Sequence, residues 1–152
     1  MHLVFISDNI LYLYWKFIMG YLNDEILDKG IKNKLISIDD KRITYYAKSE
    51  KSYSYKDPEE KVRAIVFIRL VLDYKYDRND IDFEVKVPRR TPEDLADIVV
   101  YEKNNDTQPY IVVECKKDGI TDNQFNQAIE QVFGNANSLR AKYAWVVAGN
   151  TE

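Results

Sequence analysis

The chain has 152 residues, of which 45% are hydrophobic and 31% are charged. These proportions are those of one globular domain and exclude a disordered or membrane-embedded chain. The formal net charge of −3 does not indicate a nucleic-acid binder, so any DNA contact must come from local basic patches.

The chain contains one cysteine, Cys115, and one histidine, His2. An intrachain disulfide is therefore impossible, and a reducing compartment such as the cytoplasm fits best. A zinc site of the His/Cys type and a Ser-His-Asp triad are not credible either. Any catalysis must depend on carboxylates and lysines.

Residues 1–40 are expected to form an N-terminal extension or helical arm, followed by a domain over residues 41–152. Residues 3–19 are apolar but too short and too interrupted for a membrane span, and they make a poor signal peptide. They are interpreted as an extra helix or arm that covers the core, or as a segment upstream of a natural start at Met19. Apolar residues within 21–40 predict a short amphipathic helix and a turn.

The middle of the chain begins with a strand at residues 43–47, followed by a second strand or a loop at residues 48–56. Asp57 then caps a helix, with Pro58 at its first position and Glu60 three residues after the cap, as in a capping box. This helix is expected to end near residues 73–76. Residues 81–87 alternate as a strand.

The last third predicts strands and one long helix. A basic loop interrupts the chain first, because prolines cannot continue a strand. The buried final strand and the mixed order of elements predict an α/β sandwich with a mixed sheet. In chain order the predicted pieces are a loop at 88–92, a strand at 95–102, a turn at 103–109, a strand at 110–117, a helix from Thr121 to about Lys142, and a strand at 143–148.

Three charged residues stand out on the central predicted hairpin. Glu114 and Lys116 are two apart on one strand and therefore share a face. A hairpin brings Asp97, on the preceding strand, close to Glu114. Two carboxylates that converge repel each other unless a cation lies between them, and carboxylate oxygens suit Mg²⁺. The same spacing also fits an ordinary ion pair at the end of a strand.

The chemistry that follows is phosphodiester hydrolysis. Asp97, Glu114 and the backbone carbonyl of Cys115 would hold Mg²⁺, with Mn²⁺ as a possible substitute. The ion would polarise a scissile phosphate and acidify a water molecule. Lys116 would orient or deprotonate that water or stabilise developing charge. The side chain of Cys115 faces the other way and is expected in the core.

Residues 57–150 resemble the N-terminal nuclease domain of type I restriction enzyme R subunits, a branch of the PD-(D/E)XK nucleases. The resemblance implies a restriction-endonuclease-like core, in which a central mixed sheet is flanked by helices. The stretches that carry it are DPEEKVR at 57–63, DLADIVVYE at 94–102, PYIVVECKK at 109–117, QAIEQVFGNANSL at 127–139 and YAWVVAGN at 143–150.

The resemblance assigns the metal-binding acids to Asp97 and Glu114 and the catalytic lysine to Lys116. A further acid on the leading helix falls on Glu60, with Glu59 as the fallback. The glutamine motif falls on Gln131, but its tyrosine is replaced by Asn135. In this chain alanine also precedes Asp97, where the superfamily has proline.

Basic and polar residues around the site are candidates for contact with the DNA backbone. Gln127 would lie with Gln131 and Gln124 on one helical face, although a solvated polar face explains Gln124 better. The alternative for any one basic residue is a solvated loop. The candidate phosphate contacts are Lys86, Arg89, Arg90 and Lys117.

The expected function is that of a Mg²⁺-dependent endonuclease domain of a type I restriction-modification enzyme, acting on double-stranded DNA. The partners would be methyltransferase and specificity subunits or a downstream motor region, with no membrane involved. The chain is expected to be a fragment or a stand-alone module. The alternatives are a non-catalytic DNA-binding or docking module of the same fold, a nuclease associated with an adenine-specific DNA methyltransferase, and an RNA or repair nuclease.

Overall fold

The computed structural model describes residues 2–7, 10–16, 20–89 and 91–149, with side chains from residue 24 onward. The elements in chain order are β1 (His2–Ser7), β2 (Ile10–Lys16), α1 (Gly20–Lys32), β3 (Ile36–Ile38), β4 (Arg42–Tyr46), β5 (Glu50–Ser54), α2 (Pro58–Leu72), β6 (Ile81–Val87), β7 (Asp94–Glu102), β8 (Asn105–Lys116), α3 (Asp122–Leu139) and β9 (Tyr143–Ala148).

The strands form two sheets. The larger has the order β1-β2-β9-β8-β7-β6, and the smaller has the order β3-β4-β5. β6, β7 and β8 pair antiparallel, whereas β9 is parallel to both β8 and β2. Parallel neighbours need a crossover, and α3 supplies it between β8 and β9. The α/β fold with a mixed sheet flanked by helices is thereby confirmed.

Two hydrophobic cores form on opposite faces of the large sheet. Along β8, Val113 packs in the first core and Val112 in the second, because neighbouring strand residues point to opposite faces. The α2 core joins α2 to both sheets and includes Ile43, Tyr45, Phe67, Phe83, Ile98, Val113, Cys115 and Val147. The α3 core joins α3 to the large sheet and includes Val87, Ala96, Val99, Val112, Ala128, Val132, Ala136, Ala144 and Val146.

α2 is deeply enclosed. Its buried positions extend around most of the helix, from Val62 to Leu70, rather than along one side. A helix buried all round needs partners on several sides. Phe67 illustrates them, since its ring lies 5.7 Å from that of Tyr45 on β4 and 5.2 Å from that of Phe83 on β6.

The N-terminal region differs from the expected extra helix over residues 3–19. Its described residues form β1 and β2, and β2 extends the large sheet beside β9. Apolar residues suit this place because β9 is buried on both faces. The alternative start at Met19 lies outside the described residues. The amphipathic helix within 21–40 is confirmed as α1, and the boundary at residue 40 stays a prediction.

Several predicted ends are shifted. Of the two alternatives for residues 48–56, the strand is confirmed as β5. β8 begins at Asn105, so the turn predicted over residues 103–109 is much shorter. Asn104, in this short turn, has a left-handed φ of 63°, which asparagine tolerates in turns. α3 ends at Leu139 rather than near Lys142, because Arg140 is left-handed, with a φ of 57°.

Among the described residues, none of the helices has the length and apolarity needed to cross a membrane.

The start of α3 supports a prediction on stability. The side chain of Thr121 accepts a hydrogen bond from the backbone N–H of Gln124 (3.2 Å), and the Gln124 side chain accepts one from the N–H of Thr121 (2.9 Å). Thr121→Ala should lower the free energy of unfolding by about 1 kcal/mol, measured by urea denaturation. Thr121→Ser keeps the acceptor and should retain most of the stability. An equal loss in both variants would contradict this role.

Candidate active site

The side chains of β6 and β7 that pack in the cores switch from one face of the large sheet to the other partway along each strand. Phe83 packs in the α2 core, whereas Val85 packs against the α3 core. Residues two apart normally share a face, and the left-handed φ of 47° at Glu84 breaks this alternation. On β7 the change falls at Asp97, whose two neighbours pack in opposite cores. Glu84 and Asp97 therefore lie where the regular pleat is interrupted.

The pairing of β7 with β8 stops next to Asp97. The last regular pair before this point is Ile98 with Val113, and the backbone N–H of Cys115 then donates to Oδ2 of Asp97 at 2.7 Å. β8 remains paired with β9 as far as Lys116. A notch thus opens between β7 and β8 where the predicted acids lie.

Glu114 and Lys116 share a face of β8, as the sequence predicts. Lys116 Nζ donates to Glu114 Oε1 at 2.7 Å, and Glu114 is only 2% exposed. The other carboxylate oxygen, Oε2, is buried and has no hydrogen-bond partner among the described residues. Burial, and then the charge of Asp97, raise the pKa of Glu114 to about 8. Burial is the largest single influence on the pKa of Lys116 and lowers it, but the bond to Glu114 and the nearby negative charges together outweigh burial, so the pKa is raised.

Glu60 does not complete the predicted capping box. Asp57 caps α2 as expected, since its side chain accepts from the N–H of Glu59 at 2.9 Å. The carboxylate of Glu60 instead points inward, where it accepts from the hydroxyl of Tyr45 at 2.5 Å and pairs with Arg63 at 3.3 Å. The packing of β4 on α2 decides this orientation. Whether Glu60 contacts a metal stays a prediction.

Arg63 is the main residue that the sequence interpretation missed. It is 9% exposed, and it joins Oδ1 of Asp97 (3.1 Å) to Glu60 (3.3 Å) and Glu84 (3.3 Å). A charge inside the apolar run of α2, three residues after Glu60, was the available signal. Such a buried charge needs partners, and residues three apart lie on the same helical side.

Three glutamines lie along α3. Gln124 is exposed and completes the cap of α3, a role that the sequence analysis did not predict, and Gln127 is exposed. Gln131 is half-buried, and no hydrogen bond joins it to Asp97, Glu114 or Lys116 in the described part of the chain. Asn135, which replaces the tyrosine of the motif, also belongs to α3 and is fully buried. Catalytic and DNA-binding roles for Gln131 and Gln127 stay predictions.

The basic candidates lie on the surface where described. Arg89 and Lys117 are exposed at the ends of β6 and β8, and Arg89 has a left-handed φ of 60°. Lys86 pairs with Glu93 at 2.9 Å and is therefore partly neutralised. Arg90 lies outside the described residues. These positions are compatible with phosphate contacts, which stay predictions.

The acidic residues suit a hard divalent cation. No group of three or more Asp, Glu, His or Cys side chains is arranged to hold a metal within the described residues. Mg²⁺, however, often uses one or two carboxylates together with water and substrate phosphate. The unpartnered Oε2 of Glu114, close enough to Asp97 for their charges to interact, fits such a site. The backbone carbonyl of Cys115 stays a predicted third ligand.

A comparison with protein families matches residues 58–152 to the type I restriction enzyme R protein N terminus. The chain belongs to this family. The match covers well over half of the chain, including α2 and β6 to β9, which carry the ion pairs described above. Searches of the curated proteins and of the solved structures returned no match.

The raised pKa of Glu114 predicts how the stability of the metal-free R protein domain depends on pH. In the folded chain the carboxyl stays protonated up to about pH 8, whereas in the unfolded chain it ionises at about pH 4.3. Its contribution to stability is therefore lost as the pH rises from about 4.3 toward about 8. Glu114→Gln should remove this loss and stabilise the protein at pH 8 by on the order of 1 kcal/mol or more. Urea denaturation in EDTA between pH 5 and 8 measures it.

Glu102→Gln, at the opposite end of β7, is the matched control, because this carboxylate is exposed. Its stability profile should follow that of the wild type. If the Glu114→Gln profile also followed the wild type, the carboxyl of Glu114 would ionise normally.

Proposed function

We propose that this R protein domain is a Mg²⁺-dependent endonuclease of the PD-(D/E)XK type, which hydrolyses phosphodiester bonds in double-stranded DNA. The observation that carries the proposal is the notch between β7 and β8. It places the carboxyl of Asp97 close enough to Glu114 for their charges to interact, and Glu114 holds the ammonium of Lys116 at the end of a buried strand. Membership of a restriction enzyme family supports the same reaction class.

Asp97 and Glu114 would hold the ion, with the Cys115 carbonyl as a third ligand. When bound, Mg²⁺ supplies Lewis-acid polarisation of the scissile phosphate and makes water more acidic. Asp97 is oriented by the N–H of Cys115, and Glu114 keeps Oε2 available. Burial of both groups strengthens their attraction for a cation, because the local dielectric constant is low.

Lys116 would act on the attacking water or on the charge that develops on the phosphate. Its Nζ is held by Glu114 Oε1 at 2.7 Å, on the side chain whose other oxygen would face the ion. An ammonium in this place stabilises negative charge as a point cation. Exposed Arg89 and Lys117 would supply contacts to DNA phosphates without sequence readout.

The partners would be the other components of a type I system. Methyltransferase and specificity subunits, or a downstream motor region, would select where the DNA is cut. The described residues contain no feature that we interpret as a base-reading motif. A pairing with an adenine-specific DNA methyltransferase is the second arrangement compatible with the proposed chemistry.

Cleavage tests the role of Lys116. Lys116→Ala should reduce Mg²⁺-dependent nicking of supercoiled plasmid by roughly a hundredfold or more, because it removes the cation next to the reacting group. Lys103→Ala, an exposed lysine at the other end of the same hairpin, is the control and should cut like the wild type. Equal nicking by Lys116→Ala and the wild type would exclude a catalytic role for Lys116.

Metal binding tests the site independently of cleavage. Calorimetric titration with Mn²⁺ or Mg²⁺ should show binding to the wild type, weakened at least about tenfold in Asp97→Asn combined with Glu114→Gln, since both charged ligands are lost. Asp106→Asn, on the exposed hairpin end, should bind normally. Absence of binding by the wild type would instead favour a non-catalytic DNA-binding or docking module.

A further inference from the structure

Arg63 is held by three carboxylates at once. Its Nη1 lies 3.3 Å from both Glu60 and Glu84, and its Nη2 lies 3.1 Å from Asp97 Oδ1. The guanidinium also lies over the ring of Tyr53, 5.0 Å from the centroid. One nitrogen thus contacts Glu60 and Glu84, and the other contacts Asp97, the predicted metal ligand.

The two oxygens of Asp97 have different partners. Oδ2 accepts from the N–H of Cys115, a backbone group that cannot move without disturbing β8. Oδ1 accepts from a side chain, Arg63. Oδ1 is therefore the oxygen that a metal ion can take with the least rearrangement, and Arg63 holds it in the metal-free protein.

The acidic side chains around Arg63 outnumber the basic ones, which favours the binding of a divalent cation. Four acidic side chains surround two basic ones. The acidic side chains are Glu60, Glu84, Asp97 and Glu114, and the basic ones are Arg63 and Lys116.

We propose that Arg63 is a positioning residue that serves as the internal counter-ion of the metal site. It holds Oδ1 of Asp97 while no metal is bound and gives up this oxygen when the metal arrives. Its bonds to Glu60 and Glu84 then keep the guanidinium paired, so no buried charge is abandoned. This inference rests on the proposed function, because it requires a metal at Asp97.

The consequence is that Arg63 and the metal partly replace each other. Loss of Arg63 leaves three carboxylates near one another without their shared cation, which destabilises the folded protein. A divalent ion restores positive charge at the same place. The metal should therefore stabilise a protein without Arg63 more than it stabilises the wild type.

Thermal unfolding in EDTA and in Mn²⁺ tests this. Arg63→Gln should unfold at a lower temperature than the wild type in EDTA. Mn²⁺ should reduce this difference in unfolding temperature, the gap, by roughly half or more. Arg63→Lys keeps the positive charge but lacks the forked guanidinium. Its gap should be smaller than that of Arg63→Gln, and Mn²⁺ should reduce it as well. Arg69→Gln, on the same helix and paired with Asp73, is the control, and Mn²⁺ should leave its gap unchanged.

The outcomes separate the inference from the proposed function. If Mn²⁺ stabilises the wild type while the gap of Arg63→Gln stays constant, the counter-ion role is wrong and the metal site stands. If Mn²⁺ stabilises none of the proteins, the metal site falls and the role of Arg63 falls with it. If Arg63→Gln is unfolded in EDTA, Mn²⁺-driven folding seen by circular dichroism supports the role. If Arg63→Gln does not fold in Mn²⁺ and the gap of Arg63→Lys is the same in EDTA and in Mn²⁺, the counter-ion role is wrong.

Discussion

The hydrogen bond from the backbone N–H of Cys115 to the carboxylate of Asp97 is the contact on which the candidate site depends. A buried N–H needs an acceptor, and on β8 a side chain takes the place that a strand carbonyl would otherwise fill. β7 can therefore leave β8 while the N–H of Cys115 keeps an acceptor, and β9 continues to pair with β8 as far as Lys116. The notch is a consequence of this exchange of acceptors.

Charge inside the fold is the second constraint. α2 lies in a core shared by two sheets, yet it brings Glu60 and Arg63 into that core. Unpaired, either charge would be strongly unfavourable, so each is satisfied by partners on other elements, including Tyr45 and Asp97. This network joins the small sheet, α2 and the large sheet at one point, and that point lies beside the notch.

Local rules are broken where the candidate site residues lie. Glu84 adopts a left-handed backbone within a strand, and Glu114 keeps a buried oxygen without a described partner. Both features oppose stability, and such features are retained mostly at sites that serve a function. Their position around Asp97 supports the proposal that the notch is the catalytic part of this R protein domain.

Sequence alone determined the elements with strong local signals. Asp57 and Pro58 start α2, Thr121 starts α3, and the spacing of Glu114 and Lys116 places them on one face, because capping and strand pleat act over a few residues. Tertiary structure decided the rest. The carboxylate of Glu60 turned inward rather than capping its helix, residues 10–16 joined the sheet as β2, and Arg63 bridged Asp97 to α2. Each of these depends on which distant surface an element meets, and periodicity along the chain does not contain that information.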